Sequence, residues 1–258
     1  MIRQALAVAA KAPEPGKAKT RLQSFLSVED ATELYRCFLK DTLALVDSIP
    51  ETDGVVSYTP EGAEKYFEGI TGGHHLLLPQ RGSSFGERLC NALEDLLDRG
   101  YGCAAIMDSD SPTLPSEYLL KTFELLRMPG QRVVLGPASD GGYYLIGLNE
   151  SHPRLFEDIT WSTSSVLRET IERANEIGLE VALLPEWYDV DDREGFDRLC
   201  RELGTSAGRD TLSAGPGKPN FTALDLKGDA EGTGPEAAET TRRFICDRWP
   251  AKKAYAYD

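Results

Sequence analysis

Short apolar runs alternate with amphipathic helical stretches along most of this chain, and that alternation constrains the fold more than any other feature. Runs of four to six residues that are apolar without a break are what a sheet buried on both faces requires. We read strands at Gln4 to Ala9, Val55 to Tyr58, Leu76 to Leu78, Ala104 to Met107, Arg132 to Leu135, Tyr143 to Ile146 and Glu180 to Leu184. Helices fall between them. "SVED" at Ser27–Asp30 has capping-box spacing, with Leu34, Phe38, Thr42 and Leu45 continuing one face. Ser84 and Glu87 repeat the spacing before Leu89, Leu93 and Leu96, and Gly100 ends that helix. Further helices are expected over Ser116–Leu126, Ser164–Ile177 and Glu194–Leu203. The expected fold class is α/β, with a mostly parallel central sheet between helical layers.

A length of 258 residues suits one sizeable α/β domain and a tail. After Leu203 the composition shifts to Gly, Pro, Ser and Thr with little periodicity, so we expect one folded body over 1–203 and a linker and tail over 204–258. "RRFICDRWP" near the end regains aromatic content. It suits docking on the body or pairing with a second copy in a homo-oligomer, alternatives the sequence leaves open.

The formal net charge of −14 speaks against a broad nucleic-acid surface. No apolar segment reaches the roughly 20 residues of a membrane span, and no secretory leader pattern opens the chain, so a cytoplasmic location is the default expectation. The five cysteines lack C-x-x-C spacing, and the first four read as buried or half-buried thiols. No G-x-S-x-G elbow occurs, and His74 and His75 read as surface or edge residues.

Four stretches carry polar chemistry at strand exits. "AKAPEPGKAKTRL" concentrates Lys11, Lys17, Lys19 and Arg21 around Gly16, which suits a phosphate-binding loop or, in isolation, a solvated basic loop. "MDSDSPTLP" places Asp108 and Asp110 one residue apart at a strand's end, where both can reach a divalent cation. "ASDGGYYL" makes a tight turn of Asp140, Gly141 and Gly142, which is either hairpin chemistry or room for a sugar beside a carboxylate. "YDVDDREGF" offers Asp189, Asp191 and Asp192, of which Asp191 or Asp192 also suits an N-cap. "WSTSS" at Trp161–Ser165 opens a helix whose first amides could receive an anion.

In that order these motifs resemble the bacterial glycosyltransferase-like family of the nucleotide-diphospho-sugar transferase superfamily, over about residues 2–203. A more distant likeness is to 2-phospholactate guanylyltransferase, the molybdenum-cofactor guanylyltransferase and the sugar-phosphate nucleotidylyltransferases. The resemblance implies a Rossmann-like, GT-A-like three-layer sandwich. It implies nucleotide phosphates bound by Lys11, Gly16, Lys17, Lys19 and Arg21, with Gly141 and Gly142 beside the donor. Asp108, Asp110 and Asp191 would hold Mg2+ or Mn2+, and Asp140 and Lys19 would act in catalysis. The implied partners are a nucleotide sugar, or a nucleoside triphosphate, and a small-molecule acceptor. "PEPGKAKTRL" departs from the glycine-dense first loop of nucleotidyltransferases. The family resemblance favours glycosyl transfer, with nucleotidyl transfer and a non-catalytic nucleotide-binding module as alternatives.

Overall fold

The computed structural model describes residues 2–205 and 238–249. The stretch 206–237 and the last nine residues, most of the expected linker and tail, lie outside the described residues. Seven strands form one sheet: β1 (Gln4–Lys11), β2 (Thr52–Thr59), β3 (Leu76–Pro79), β4 (Cys103–Met107), β5 (Arg132–Pro137), β6 (Tyr143–Leu148) and β7 (Glu180–Leu183). Their order is β3-β2-β1-β4-β6-β5-β7. β6 runs antiparallel to β4 and β5, and every other pairing is parallel. The expected Asp140–Gly142 turn therefore closes a β5–β6 hairpin.

All seven expected strands form, with bounds that shift by a few residues: β1 runs on to Lys11 and β2 starts at Thr52. Along β1, Leu6, Val8 and Ala10 face one core while Ala5 and Ala7 face the other. This period of two inside a run with no polar break is the mark of a sheet covered on both sides. On the first face pack α1 (Val28–Asp47), α4 (Ser116–Leu126) and α6 (Arg193–Glu202), through residues such as Phe38, Phe123 and Phe196. On the second lie α3 (Phe85–Asp98) and α5 (Val166–Glu176), through Leu89, Leu93, Leu96 and Ala174. The result is the three-layer sandwich the sequence predicts.

Both predicted capping residues are in place. Ser27 accepts from Asp30 N and Ser84 accepts from Glu87 N. Two helices go beyond the sequence reading. The short α2 (Glu64–Thr71) buries Phe67 and stops at Gly72, which adopts a left-handed φ of 60°. α7 (Glu239–Arg248) docks against α1: the buried Asp41 carboxylate on α1 accepts from Thr240 N and Thr241 N, and Ile245 is fully buried. The aromatic segment near the C-terminus is thus a helix on the body of the same chain.

The register contains one mismatch that shapes the site. β1 pairs with β2 along its whole length, from Gln4 opposite Thr52 to Lys11 opposite Thr59. With β4 it pairs only from Gln4 opposite Cys103 to Val8 opposite Met107. Ala9 to Lys11 therefore overrun β4, and a notch opens at the carboxyl end of the sheet. Lys11 N donates there to the Tyr35 hydroxyl of α1.

Candidate active site

Because β1, β4, β5 and β7 point the same way, the loops that leave them meet at one edge of the sheet. In open α/β sheets this is where ligands bind. The segment after β7 crosses the strand ends in extended form. Trp187 N donates to Pro137 O, Ser139 N to Trp187 O, and Val190 N to Asp110 O. That crossing carries Asp191 from the far edge of the sheet to the middle.

Lys19 sits where the three exits converge. Its Nζ lies 2.8 Å from Asp110 Oδ1, 2.7 Å from Asp191 Oδ1 and 2.9 Å from Val190 O. The side chain is 3% exposed, with the Phe38 ring 5.5 Å below the ammonium. Burial alone would lower its pKa, but the charges of Asp110 and Asp191 outweigh burial and hold it above the ordinary lysine range. The same pairing holds Asp191 below the usual carboxylate range against its own desolvation. Lys19 also takes a left-handed φ of 49°, uncommon for a residue with a Cβ.

Beside this cluster is a cavity of about 300 Å³ whose walls include Lys11, Lys17, Lys19 and Arg21, together with Tyr35, Asp110 and Asp191. The four basic residues of the first loop thus gather on one hollow. Gly16 turns the loop with a φ of 77°. Lys11 Nζ donates to Lys17 O, Lys17 pairs with Glu14, and Arg21 is 75% exposed at 3.9 Å from Asp191. Lys17 and Arg21 are therefore the solvated charges of the loop, whereas Lys19 is buried.

Asp108 does not join Asp110 and Asp191 around one point. Its Oδ1 accepts from Asp110 N and its Oδ2 from the Ser111 hydroxyl, a turn that keeps the chain bent as it leaves β4. Burial, with Asp110 next to it, raises its pKa well above the carboxylate range. Among the described residues no three His, Cys, Asp or Glu side chains converge as a ready-made metal site. Of the three expected carboxylates, Asp110 and Asp191 meet at Lys19, whereas Asp108 is hydrogen-bonded within the turn after β4. Asp110 and Asp191 still fit a divalent ion in kind. They are hard oxygen donors converging on a cation, and magnesium commonly takes one or two carboxylates plus substrate phosphates. The cation standing between them is the Lys19 ammonium.

The other expected residues take separate places. Asp192 is the N-cap of α6, accepting from Gly195 N at 2.9 Å, which leaves Asp191 free for Lys19. Asp140 is exposed, and its Oδ1 accepts from Gly142 N across the β5–β6 turn. It lies outside the cavity walls, as do Gly141 and Gly142. Its charge nevertheless reaches Asp189, whose pKa is pushed up to about 6 by burial and by Asp191 and Asp140 together. Gly141 has a φ of 90°, and a Cβ there would meet Ser164 O at 2.3 Å. The start of α5 already has its own carboxylate, since Glu169 accepts from Thr160 N and from the Ser165 hydroxyl. His74 is exposed as expected, but His75 is buried, with Nε2 3.2 Å from Asp47 Oδ1. Cys37, Cys103 and Cys200 are buried and Cys90 is half-buried, all as free thiols.

One site residue carries no sequence signal. Tyr35, on the buried face of α1, receives Lys11 N and hydrogen-bonds Ser109, so it ties the end of β1 to the β4 exit. Desolvation raises its hydroxyl pKa to about 12.

Fold and site together define a GT-A-like α/β protein with a basic first loop facing acidic strand exits. The sequence profile described as "Uncharacterized protein conserved in bacteria (DUF2064)" matches residues 42–163. A protein of Desulfovibrio desulfuricans G20 assigned as a nucleotide-diphospho-sugar transferase is 33% identical, with a TM-score of 0.74 over 82% of this chain and 92% of that one. The chain belongs to this bacterial family of nucleotide-diphospho-sugar transferase-like proteins. CMP:2-keto-3-deoxy-manno-octonic acid synthetase complexed with CTP shares the fold at 11% identity and a TM-score of 0.51, over 78% of this chain and 98% of that one. So does 4-diphosphocytidyl-2C-methyl-D-erythritol synthase of Anaerococcus prevotii, at 13% identity and 0.52, over 78% and 96%. No curated protein matches the sequence. Among the described residues no helix is long and apolar enough to cross a membrane.

Proposed function

We propose that this protein is a metal-dependent transferase that takes a nucleotide-diphospho-sugar as donor and moves its glycosyl group to a small-molecule acceptor. The observation that carries this reading is the joining of the basic loop after β1 to the acidic exits of β4 and β7 through Lys19. A diphosphate needs both halves: cations for its oxygens, and carboxylates for the metal that accompanies it. The family relative assigned as a nucleotide-diphospho-sugar transferase supports the same donor class.

In this reading Lys11, Lys17 and Arg21 hold the phosphates from the cavity wall, and Gly16 lets the backbone approach them. Asp110 and Asp191 would hold Mg2+ or Mn2+, which would supply Lewis-acid neutralisation of charge on the leaving nucleoside diphosphate. Asp140, exposed on the rigid β5–β6 turn, orients the acceptor hydroxyl, and Gly141 and Gly142 keep that approach free of side chains. The strongly negative net charge speaks against a broad nucleic-acid surface.

The test is the melting temperature of the full chain with magnesium and either nucleotide sugars or nucleoside triphosphates. Ligand at a hundredfold excess over its Kd stabilises by about 2.7 kcal/mol. Stabilisation by nucleotide sugars, reduced in Asp110→Ala, is expected. Pyrophosphate release from a triphosphate in the presence of a phosphorylated acceptor would replace glycosyl with nucleotidyl transfer. A flat response to both ligand sets would remove the catalytic reading.

A further inference from the structure

We propose that the Lys19 ammonium and the divalent cation exclude each other at the Asp110–Asp191 pair, so that metal entry releases Lys19 to the donor phosphates. The proposal rests on the donor class assigned above and adds the order of events at that site. An ammonium has three N–H donors. Lys19 donates to Asp191 Oδ1 and Val190 O, and its ammonium is ion-paired with Asp110 Oδ1 at 2.8 Å. As it stands, the Lys19 ammonium is turned to these three oxygens and away from any phosphate, although it borders the basic cavity. It also fills the point at which Asp110 Oδ1 and Asp191 Oδ1 converge, so a divalent cation held by those two oxygens would displace it.

The two requirements resolve together. A metal-bound diphosphate brings a cation for the carboxylates and phosphate oxygens for the lysine. The exchange conserves the partners of every charged group: the carboxylates trade an ammonium for a metal, and the ammonium trades carboxylates for phosphate. A long unbranched lysine stem permits a swing of a few ångströms, which a short or branched side chain would not. The backbone need not move, because Lys19 is already set in its left-handed conformation and Leu22 N donates to Lys19 O across the following turn.

Mutual exclusion makes a prediction that simple phosphate binding by Lys19 does not. Removing the ammonium should strengthen metal binding while weakening nucleotide binding. Mn2+ binding to the full chain without nucleotide is read by electron paramagnetic resonance, for wild type and Lys19→Met. Lys19→Met is expected to bind Mn2+ about tenfold tighter, equivalent to ~1.4 kcal/mol of relieved competition. Equal or weaker binding by Lys19→Met, or no Mn2+ binding by either protein, overturns the proposal.

A second measurement uses wild type alone, so the proposal stands or falls even if the variant does not fold. Trinitrophenylation of Lys19 by trinitrobenzenesulfonate, in which the neutral amine displaces sulfite from the ring, followed by mass spectrometry, should be slow without metal and rise severalfold when Mn2+ saturates the site. The exposed Lys17 serves as internal standard. Protection of Lys19 that is indifferent to saturating Mn2+ also overturns the exchange. Neither arm contains nucleotide, so a failed exchange leaves the donor-class reading to its own melting test, and a failed melting test leaves the exchange intact.

Discussion

Lys19 donates to Asp191 across 2.7 Å, although 172 positions separate the two in sequence. The contact closes the loop after β1 against the segment after β7, and so fastens the first and last strands of the sheet at the site. Asp110 shares the same ammonium, which makes the three residues one electrostatic unit.

That unit should show itself in stability. Lys19→Met leaves two carboxylates facing each other, and partnerless buried charges commonly cost 3–5 kcal/mol. Asp110 and Asp191 are each about one-third exposed, which reduces the expected loss to about 2 kcal/mol. Adding Asp110→Asn to Lys19→Met should return part of that loss. Urea denaturation of the two single variants and the double variant measures the coupling, and strict additivity would deny that the residues act as one.

The β5–β6 turn should tolerate a methyl group at one glycine better than at the other. At Gly141 the φ is 90° and a Cβ would lie 2.3 Å from Ser164 O, a backbone atom that cannot step aside. Gly141→Ala is expected to lose more than about 2 kcal/mol. At Gly142 the nearest atom is Asp140 Oδ1 at 3.1 Å, an exposed side-chain oxygen that accepts from Gly142 N and needs to give by only a few tenths of an ångström. Gly142→Ala should therefore cost less than its neighbour, as melting curves of the pair would reveal.

Asp41 is the anchor of α7. Its two oxygens accept from Thr240 N and Thr241 N, unsatisfied donors at the start of that helix. Asp41→Ala should cost about 1 kcal/mol, as lost helix caps do, and should speed amide exchange over 239–248 before any other helix. Uniform acceleration across the chain would place the anchor elsewhere.

Asp53 provides a pH-dependent contribution far from the site. Hydrogen bonds from Tyr101 and Arg3 lower its pKa, so the associated stability is present above its unfolded value near pH 4 and lost as pH falls through the folded value. Tyr101→Phe should lower the melting temperature by about 2–4 °C at pH 7, as loss of about 1 kcal/mol implies. The gap between variant and wild type should narrow below pH 4. A gap constant with pH would assign the effect to packing.

How far the fold could be read from sequence varies with the physics of each element. Strands such as Ala104–Met107 are apolar without a break and were legible to within a few residues, as were the Ser27 and Ser84 caps. α2 lacked both signals: Ala63 at its N-cap has no capping oxygen, and Gly69 interrupts a helix of only eight residues. α7 buries little beyond Thr241 and Ile245 and begins at Ala238 in a left-handed conformation, so its apolar stripe is too thin to register. Strand order was not legible, because pairing between β1 and β4 depends on packing across the whole sheet.

The site divides in the same way. Local charge pointed to Lys19, Asp110 and Asp191 separately, and the family resemblance gathered them. Local spacing could not tell that Asp192 caps α6 while Asp191 faces Lys19, or that Asp108 serves the turn after β4. Tyr35 was invisible, since an aromatic on the buried face of α1 reads as core.

The notch where β1 overruns β4 is a difference in strand length, and length in a strand comes in whole residues. Each residue added to β4 would advance its exit by about 3.3 Å, while an odd number would also turn its side chains to the opposite face. Two added residues would carry Asp110 roughly 6.6 Å outward on its original face, beyond reach of Lys19, with the cores on both sides still in register. The depth of this crevice is therefore graduated like a ruler. Changing that depth with the cores kept in register takes insertion or deletion in even steps, whereas side-chain substitution only furnishes the space that the sheet has already measured out.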